Sequence, residues 1–191
     1  MFKPNRLAMA LAAAMAVLAG TAQAAPMRES VHNGCTYTYE VVRNGVVVDT
    51  GVAFNLMPEQ GRNAALNAFF NGVAAPTSWY FGVFESNTFP GDDLKADTWV
   101  SLLGECTTYT PATRPAFVTS PAAAGEVNNV ASRAELTFTA AKTIYGAVIV
   151  SASAKGAGTG LIASAVRFDA AKAMQIGDTL RLTGSFNLVS A

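Results

Sequence analysis

The sequence predicts a mainly β protein. The expected form is a single antiparallel β-sandwich or barrel-like domain with one short helix at about 58–70, preceded by an apolar N-terminal helical segment. Three observations predict it. From residue 35 onward, short runs carry apolar side chains at period two, the spacing of half-covered strands. Turn signals such as Asn44-Gly45, Pro90-Gly91 and Gly177-Asp178 punctuate those runs at the short intervals of antiparallel sandwiches. Only residues 58–70 and the amino-terminal run read as helix, with no strand–helix alternation and no internal repeat.

The first strong element is a hairpin. Residues 35–42 (CTYTYEVV) alternate, with Cys35, Tyr37, Tyr39 and Val41 on one face, and 46–54 return after Asn44-Gly45. Asn-Gly between two such runs is the sharpest short hairpin signal, because both residues tolerate the positive φ of a type I′ turn.

Residues 55–84 then read as a helix followed by an apolar strand. Pro58 suits a first helical turn, where a missing N–H costs nothing. Glu59 complements the positive end of the helix dipole. Ala65, Leu66, Phe69 and Phe70 form one apolar face at helical period, and Asn71-Gly72 supplies a left-handed stop. Residues 79–84 (WYFGVF) have the composition of a strand covered on both faces. Pro58, Leu66, Phe69, Phe70, Trp79 and Phe81 are therefore expected to form the structural pivot of the fold, together with Arg114. In a chain so poor in charge, Arg114 should make a fixed hydrogen bond or ion pair, within the domain or across an interface.

Beyond the pivot, 85–96 reads as a loop, 97–103 fits a short strand or a helical turn, and 106–109 reads as a strand ended by Pro111. An extended piece begins at Arg114-Pro115, and 120–129 is a loop rich in Pro, Gly and Asn. Strands follow at 134–140, with Leu136 and Phe138 on one face, at 143–150, at 161–168 and at 179–188.

At 191 residues the chain accommodates one domain with a sizeable core. Its formal net charge of zero argues against nucleic-acid binding, which needs a basic footprint. Charged residues are only 14%, so a protein partner would have little charge to desolvate, although an ordinary alanine-rich globular protein has the same composition.

Residues 1–24 follow a secretory pattern: basic Lys3 and Arg6, an apolar run over 7–18, Gly20, and an A-x-A signature at Ala22-Gln23-Ala24. The run is shorter than the roughly 20 residues a bilayer span needs, so no stable membrane span is expected. The expectation is either a cleaved signal, with Ala25 as the mature start and residues 25–191 as the domain, or an uncleaved apolar arm packing on a partner or on the domain itself.

Candidate chemistry is sparse. His32 is the only histidine, which excludes most zinc geometries, and a Cys–His pair with Cys35 or Cys106 has no flanking signature. Cys35 and Cys106 either form a disulfide, as an oxidising compartment would favour, or stand as two buried thiols. Asp92, Asp93 and Asp97 share a loop, but their spacing is not that of an EF-hand. Residues 156–160 (GAGTG) lack the Gly-Lys-Ser/Thr ending of a phosphate loop and precede a strand. No catalytic residue, cofactor or metal is assigned, and the chain is read as a non-enzyme.

The order of features also carries a resemblance. The series runs Asn55-Leu56-Met57-Pro58, Gly61-Arg62-Asn63, Leu66-Asn67 with Phe69 or Phe70, Trp79-Tyr80-Phe81-Gly82-Val83-Phe84, Glu105-Cys106, Tyr109 and Arg114-Pro115. It continues through Asn128-Asn129, Phe138, Ile144-Tyr145-Gly146-Ala147, Gly158-Thr159-Gly160-Leu161, Phe168 and Gly177-Asp178-Thr179-Leu180. Over roughly 36–188 this resembles a family of small virion proteins of tailed bacteriophages. The resemblance implies a structural role, most specifically a capsid decoration or cement protein. Its partners would be other virion proteins, the major capsid protein first among them, met in multiple symmetric copies. A neck, tail or head-fibre component is the neighbouring alternative. The implied location is the virion. An exported β-sandwich binding protein, periplasmic or secreted, is the alternative if residues 1–24 are cleaved.

Overall fold

The computed structural model describes residues 34–188; the signal-like segment 1–24 and His32 lie outside the described residues. Strands β1 (Gly34–Arg43) and β2 (Val46–Phe54) form the expected hairpin, with Asn44 and Gly45 both at positive φ. Helix α1 (Glu59–Phe70) and strand β3 (Tyr80–Phe84) follow. A π-helical turn, Val100–Gly104, settles the ambiguous 97–103 region as helical. Short strands β4 (Tyr109–Thr110) and β5 (Glu126–Asn128) precede the longer β6 (Ala134–Phe138), β7 (Lys142–Val150), β8 (Ile162–Met174) and β9 (Thr179–Asn187).

The strands form two antiparallel sheets. One is ordered β2-β1-β9-β6-β4, with β5 also paired to β9; the other is β3-β7-β8. Their ends meet at two seams. At one, Leu56 and Ala165 exchange both backbone hydrogen bonds at 3.2 Å. At the other, Glu105 bridges Phe84 while the Cys106 N–H donates to Val83 O at 2.9 Å. The result is mainly β, antiparallel and barrel-like, with one described α-helix. The described residues fall within one compact unit.

The alternation read from β1 places Cys35, Tyr37, Tyr39 and Val41 in the interior. They meet Leu136 and Phe138 of β6, Leu180 and Leu182 of β9, and Phe81, Ile149 and Phe168 of the smaller sheet. A second cluster lies on the opposite face of β3-β7-β8, where Leu94, Trp99 and Leu103 of the long 85–104 connection pack on Phe84, Val148 and Val150. The smaller sheet is thus covered on both faces, which is why its strands read as continuous apolar runs rather than alternating ones.

Several boundaries differ from expectation. The 106–109 strand shrinks to Tyr109–Thr110, because residues 105–106 serve the seam with β3 instead. The 120–129 loop contains β5, a three-residue strand whose existence depends on β9 rather than on its own composition. The strand expected to end at 168 continues to Met174, where residues 172–174 pair with 142–144 of β7. Trp79 lies just before β3, half-buried, not inside a strand covered on both faces.

Candidate functional site

Helix α1 corrects the sequence reading of which side faces the domain. The expected core face is turned outward: Leu66 is 54% exposed, Phe69 82% and Phe70 72%. The residue that α1 buries is Gly61, with Ala64 and Ala68 half-buried behind it. The cause is backbone proximity. A Cβ at Gly61 would stand 2.7 Å from the carbonyl oxygen of Ala163 and 2.9 Å from that of Ile162, so only glycine permits this approach to β8. The helix surface that touches the sheet is therefore chosen by small size, not by hydrophobicity.

The first turn of α1 is clamped. Gln60 Oε1 accepts the N–H groups of Ala96 and Ile162, both at 3.0 Å. Arg62 pairs with both oxygens of Asp92, at 2.5 and 2.9 Å, and also donates to Met57 O. Glu59 N donates to Asp92 O at 2.9 Å. Buried Pro58 occupies the N-cap position, one residue earlier than expected, and lacks only an N–H that a helix start leaves unpaired. At the other end Gly72 adopts φ +64°, and the N–H groups of Asn71 and Val73 both reach Asn67 O, the stop that Asn71-Gly72 predicts.

Between α1 and the barrel lies a pocket of about 370 Å³. The barrel contributes Trp79, Phe117, Ile149 and Phe186, and the helix contributes only Gly61 and alanines. Thr77, Ser78 and Thr119 supply hydroxyls, and no ionisable side chain lines it. The aromatic wall is already packed: Phe117 meets Phe81 edge-on at 5.4 Å and Phe186 at 5.9 Å between ring centroids. Phe117 N donates to Trp79 O at 2.7 Å, fastening the pocket wall to the start of β3. Adjoining it across Ala64, Ala75 and Pro76 is a groove of mixed lining that includes Glu59, Asn63, Asp92, Asp93 and Lys95. Asp92 in that groove is held below the ordinary carboxylate range by its hydrogen bonds with Arg62.

Arg114 makes its fixed contact inside the domain. Its Nε and Nη2 donate to the two oxygens of Glu105 at 2.7 and 2.8 Å, with side-chain exposures of 0 and 1%. Nη1 donates to Ala152 O at 2.8 Å and Nη2 to Ala157 O at 3.0 Å. The guanidinium lies 4.9 Å from the Trp99 ring centroid. Glu105 also accepts the Gly156 N–H at 2.7 Å. The glycine-rich 156–160 loop is thus tied down by a buried ion pair, and its first amide is taken by a carboxylate. Glu105, the partner that completes this arrangement, had no sequence signal beyond its place beside Cys106.

Both cysteines are buried free thiols, and no disulfide joins them. Cys35 lies on β1, whereas Cys106 lies outside the named strands at the seam beside β3. Burial pushes the Cys35 thiol up to about 12 and raises Cys106 as well. Each is therefore kept protonated, which is the opposite of what a nucleophilic cysteine requires. A polar chain runs alongside Cys35: Tyr37 donates to Ser164 Oγ at 2.8 Å, Asn55 Nδ2 contacts the same oxygen, and Asn55 Oδ1 accepts from Cys35 N at 3.1 Å. It locks β1 to β8 through the interior. Among the described residues, no group of three His, Cys, Asp or Glu side chains is placed to hold a metal, and no helix is long and apolar enough to cross a membrane.

No known protein-family model matches the chain, and no curated protein matches it.

Proposed function

We propose that this chain is a non-enzymatic structural component of a tailed-phage virion, a capsid decoration or cement protein that stabilises the head by protein–protein contacts. The observation that carries this reading is the outward aromatic face of α1. Phe69 and Phe70 pack edge-on at 4.8 Å and project together from a helix whose first turn is clamped. A rigid helix presenting two exposed aromatics loses little entropy when a partner covers them. Covering each ring is worth roughly 1.5–3 kcal/mol. Symmetric copies on a shell multiply such contacts without new chemistry. The resemblance supplies the partner, the major capsid protein.

The test is to locate the protein in purified particles by electron microscopy and to repeat with Phe69→Ser/Phe70→Ser. The expected result is regular density on the head and loss of the double variant from particles, with its melting temperature unchanged. Density confined to the neck, tail or a head fibre would replace the decoration reading by the neighbouring structural one. Absence from virions would overturn both.

A second reading has its own observation, the basic–apolar–AxA pattern of residues 1–24, which supports an exported β-rich binding protein. Amino-terminal sequencing separates the two: a start at Ala25 favours export, and an intact Met1 removes it.

A further inference from the structure

We infer that the pocket beneath α1 is a binding site for an uncharged, mainly apolar small molecule with a single hydrogen-bonding end. It goes beyond the virion reading and does not depend on it.

Four features of the pocket support this. Its volume, about 370 Å³, falls within the roughly 300–1,000 Å³ of small-molecule sites. Its lining is apolar and aromatic, with a few hydroxyls from Thr77, Ser78 and Thr119, the composition typical of such sites. It is also held open. Gly61 rests on the Ile162 and Ala163 carbonyls and Gln60 is bonded to both Ala96 and Ile162, so the helix can neither sink into the space nor lift away from its first turn. On the opposite wall, the Phe81–Phe117–Phe186 stack is fixed by mutual edge-to-face contacts. Finally, the helix leaves the space unfilled although it carries side chains that could fill it: alanines face inward while Leu66, Phe69 and Phe70 face out.

Charge chooses the class of occupant. With no ionisable side chain in the lining and the exposed Thr77, Ser78 and Thr119 at its rim, a charge seated among the rings would be desolvated without a partner, so the occupant is neutral. The hydroxyls offer donors and acceptors for one polar terminus, such as an alcohol, carbonyl or amine N–H, while the rings and Ile149 receive the apolar body.

The probe is N-phenyl-1-naphthylamine, a neutral aromatic with one N–H, titrated into the full chain. Saturable one-to-one binding is expected, with energy transfer from Trp79, which lines the pocket; the other tryptophan, Trp99, is buried in the second cluster. Ala68→Phe, which fills the space from the helix side, should weaken binding at least tenfold at an unchanged melting temperature. Ala64→Leu, a smaller fill, should give a partial loss and serves if the first variant does not fold. The anionic 1-anilinonaphthalene-8-sulfonate should bind at least tenfold more weakly than the neutral probe. Absence of saturable binding, equal binding of the two probes, or undiminished binding by a folded filled variant would overturn the assignment.

Discussion

Replacing Arg114 with alanine should be among the most damaging single changes in this protein. The substitution leaves the Glu105 carboxylate in place with a side-chain exposure of 1% and with the Gly156 N–H as its remaining donor. It also strips the Ala152 and Ala157 carbonyls of their guanidinium donors. Breaking a buried pair by removing one partner costs about 3–5 kcal/mol, because the surviving charge stays desolvated. For a chain of this size about 2–4 °C of melting temperature accompanies each kcal/mol, so a fall of roughly 6–20 °C is expected. Urea titration is the assay. The midpoint should drop with the slope unchanged, since the surface exposed on unfolding hardly alters. The double variant Arg114→Met/Glu105→Met carries the sharper expectation. Two apolar side chains of similar volume should recover part of the loss, because the pair's desolvation cost vanishes with the pair while the Ala152 and Ala157 carbonyls and the Gly156 N–H stay without their side-chain partners. A loss below about 1 kcal/mol for Arg114→Ala would refute the reasoning, and so would a double variant no more stable than the sum of the singles.

Other outcomes follow from the same geometry. Gly61→Ala should destabilise by about 1–3 kcal/mol, even though alanine gains up to roughly 1 kcal/mol of helix propensity, because its Cβ meets two carbonyl oxygens of β8; a stabilised variant in thermal melts would show that α1 does not sit on β8. Neither thiol should react with a chromogenic disulfide reagent at pH 8 in the native protein, and both should react in denaturant; a rapid native reaction would contradict the burial of Cys35 and Cys106. Asp178 accepts from Arg43 Nε and Nη2 at 3.0 and 2.7 Å and from Gln175 N at 2.7 Å, and the Arg43 hydrogen bonds hold its carboxyl below the ordinary 3.8. Its folded-state pKa is depressed, so its contribution is present above about pH 4 and lost as pH falls through the lowered value. Urea midpoints between pH 2 and 6 should therefore fall less steeply for Asp178→Asn than for the parent, and parallel profiles would count against the pairing.

What could be read from the chain alone was what depends on local chemistry. The Asn44-Gly45 turn, the Gly72 stop and the alternating face of β1 each need only a few neighbouring residues to declare themselves. What could not be read depends on distant partners. Residues 172–174, a lysine, an alanine and a methionine, are no strong strand signal, yet they are extended because β7 offers a partner and Lys172 reaches Asp49 at 3.1 Å. β5 exists because β9 is beside it. Periodicity points to the wrong face of α1 because it reports where apolar residues recur, whereas close approach to β8 selects the smallest face. Glu105 becomes meaningful only when Arg114, nine residues on, is folded against it. The pocket draws on residues from 57 to 186, and no window of sequence contains it.

The position of β9 has a consequence for how the chain acquires its shape. The final described strand lies in the middle of the larger sheet, paired to β1 from Gly34↔Asn187 through Val42↔Thr179 and to β6 and β5 on its other edge. During synthesis β1 and β2 emerge before β9 and can form their hairpin, yet β1 keeps an open edge until residues 179–187 have left the ribosome. Contacts of such long sequence separation make folding slow and leave that edge available for mispairing. The barrel closes late and from its centre. Any truncation that removes β9 should therefore yield aggregated chains rather than a smaller folded domain.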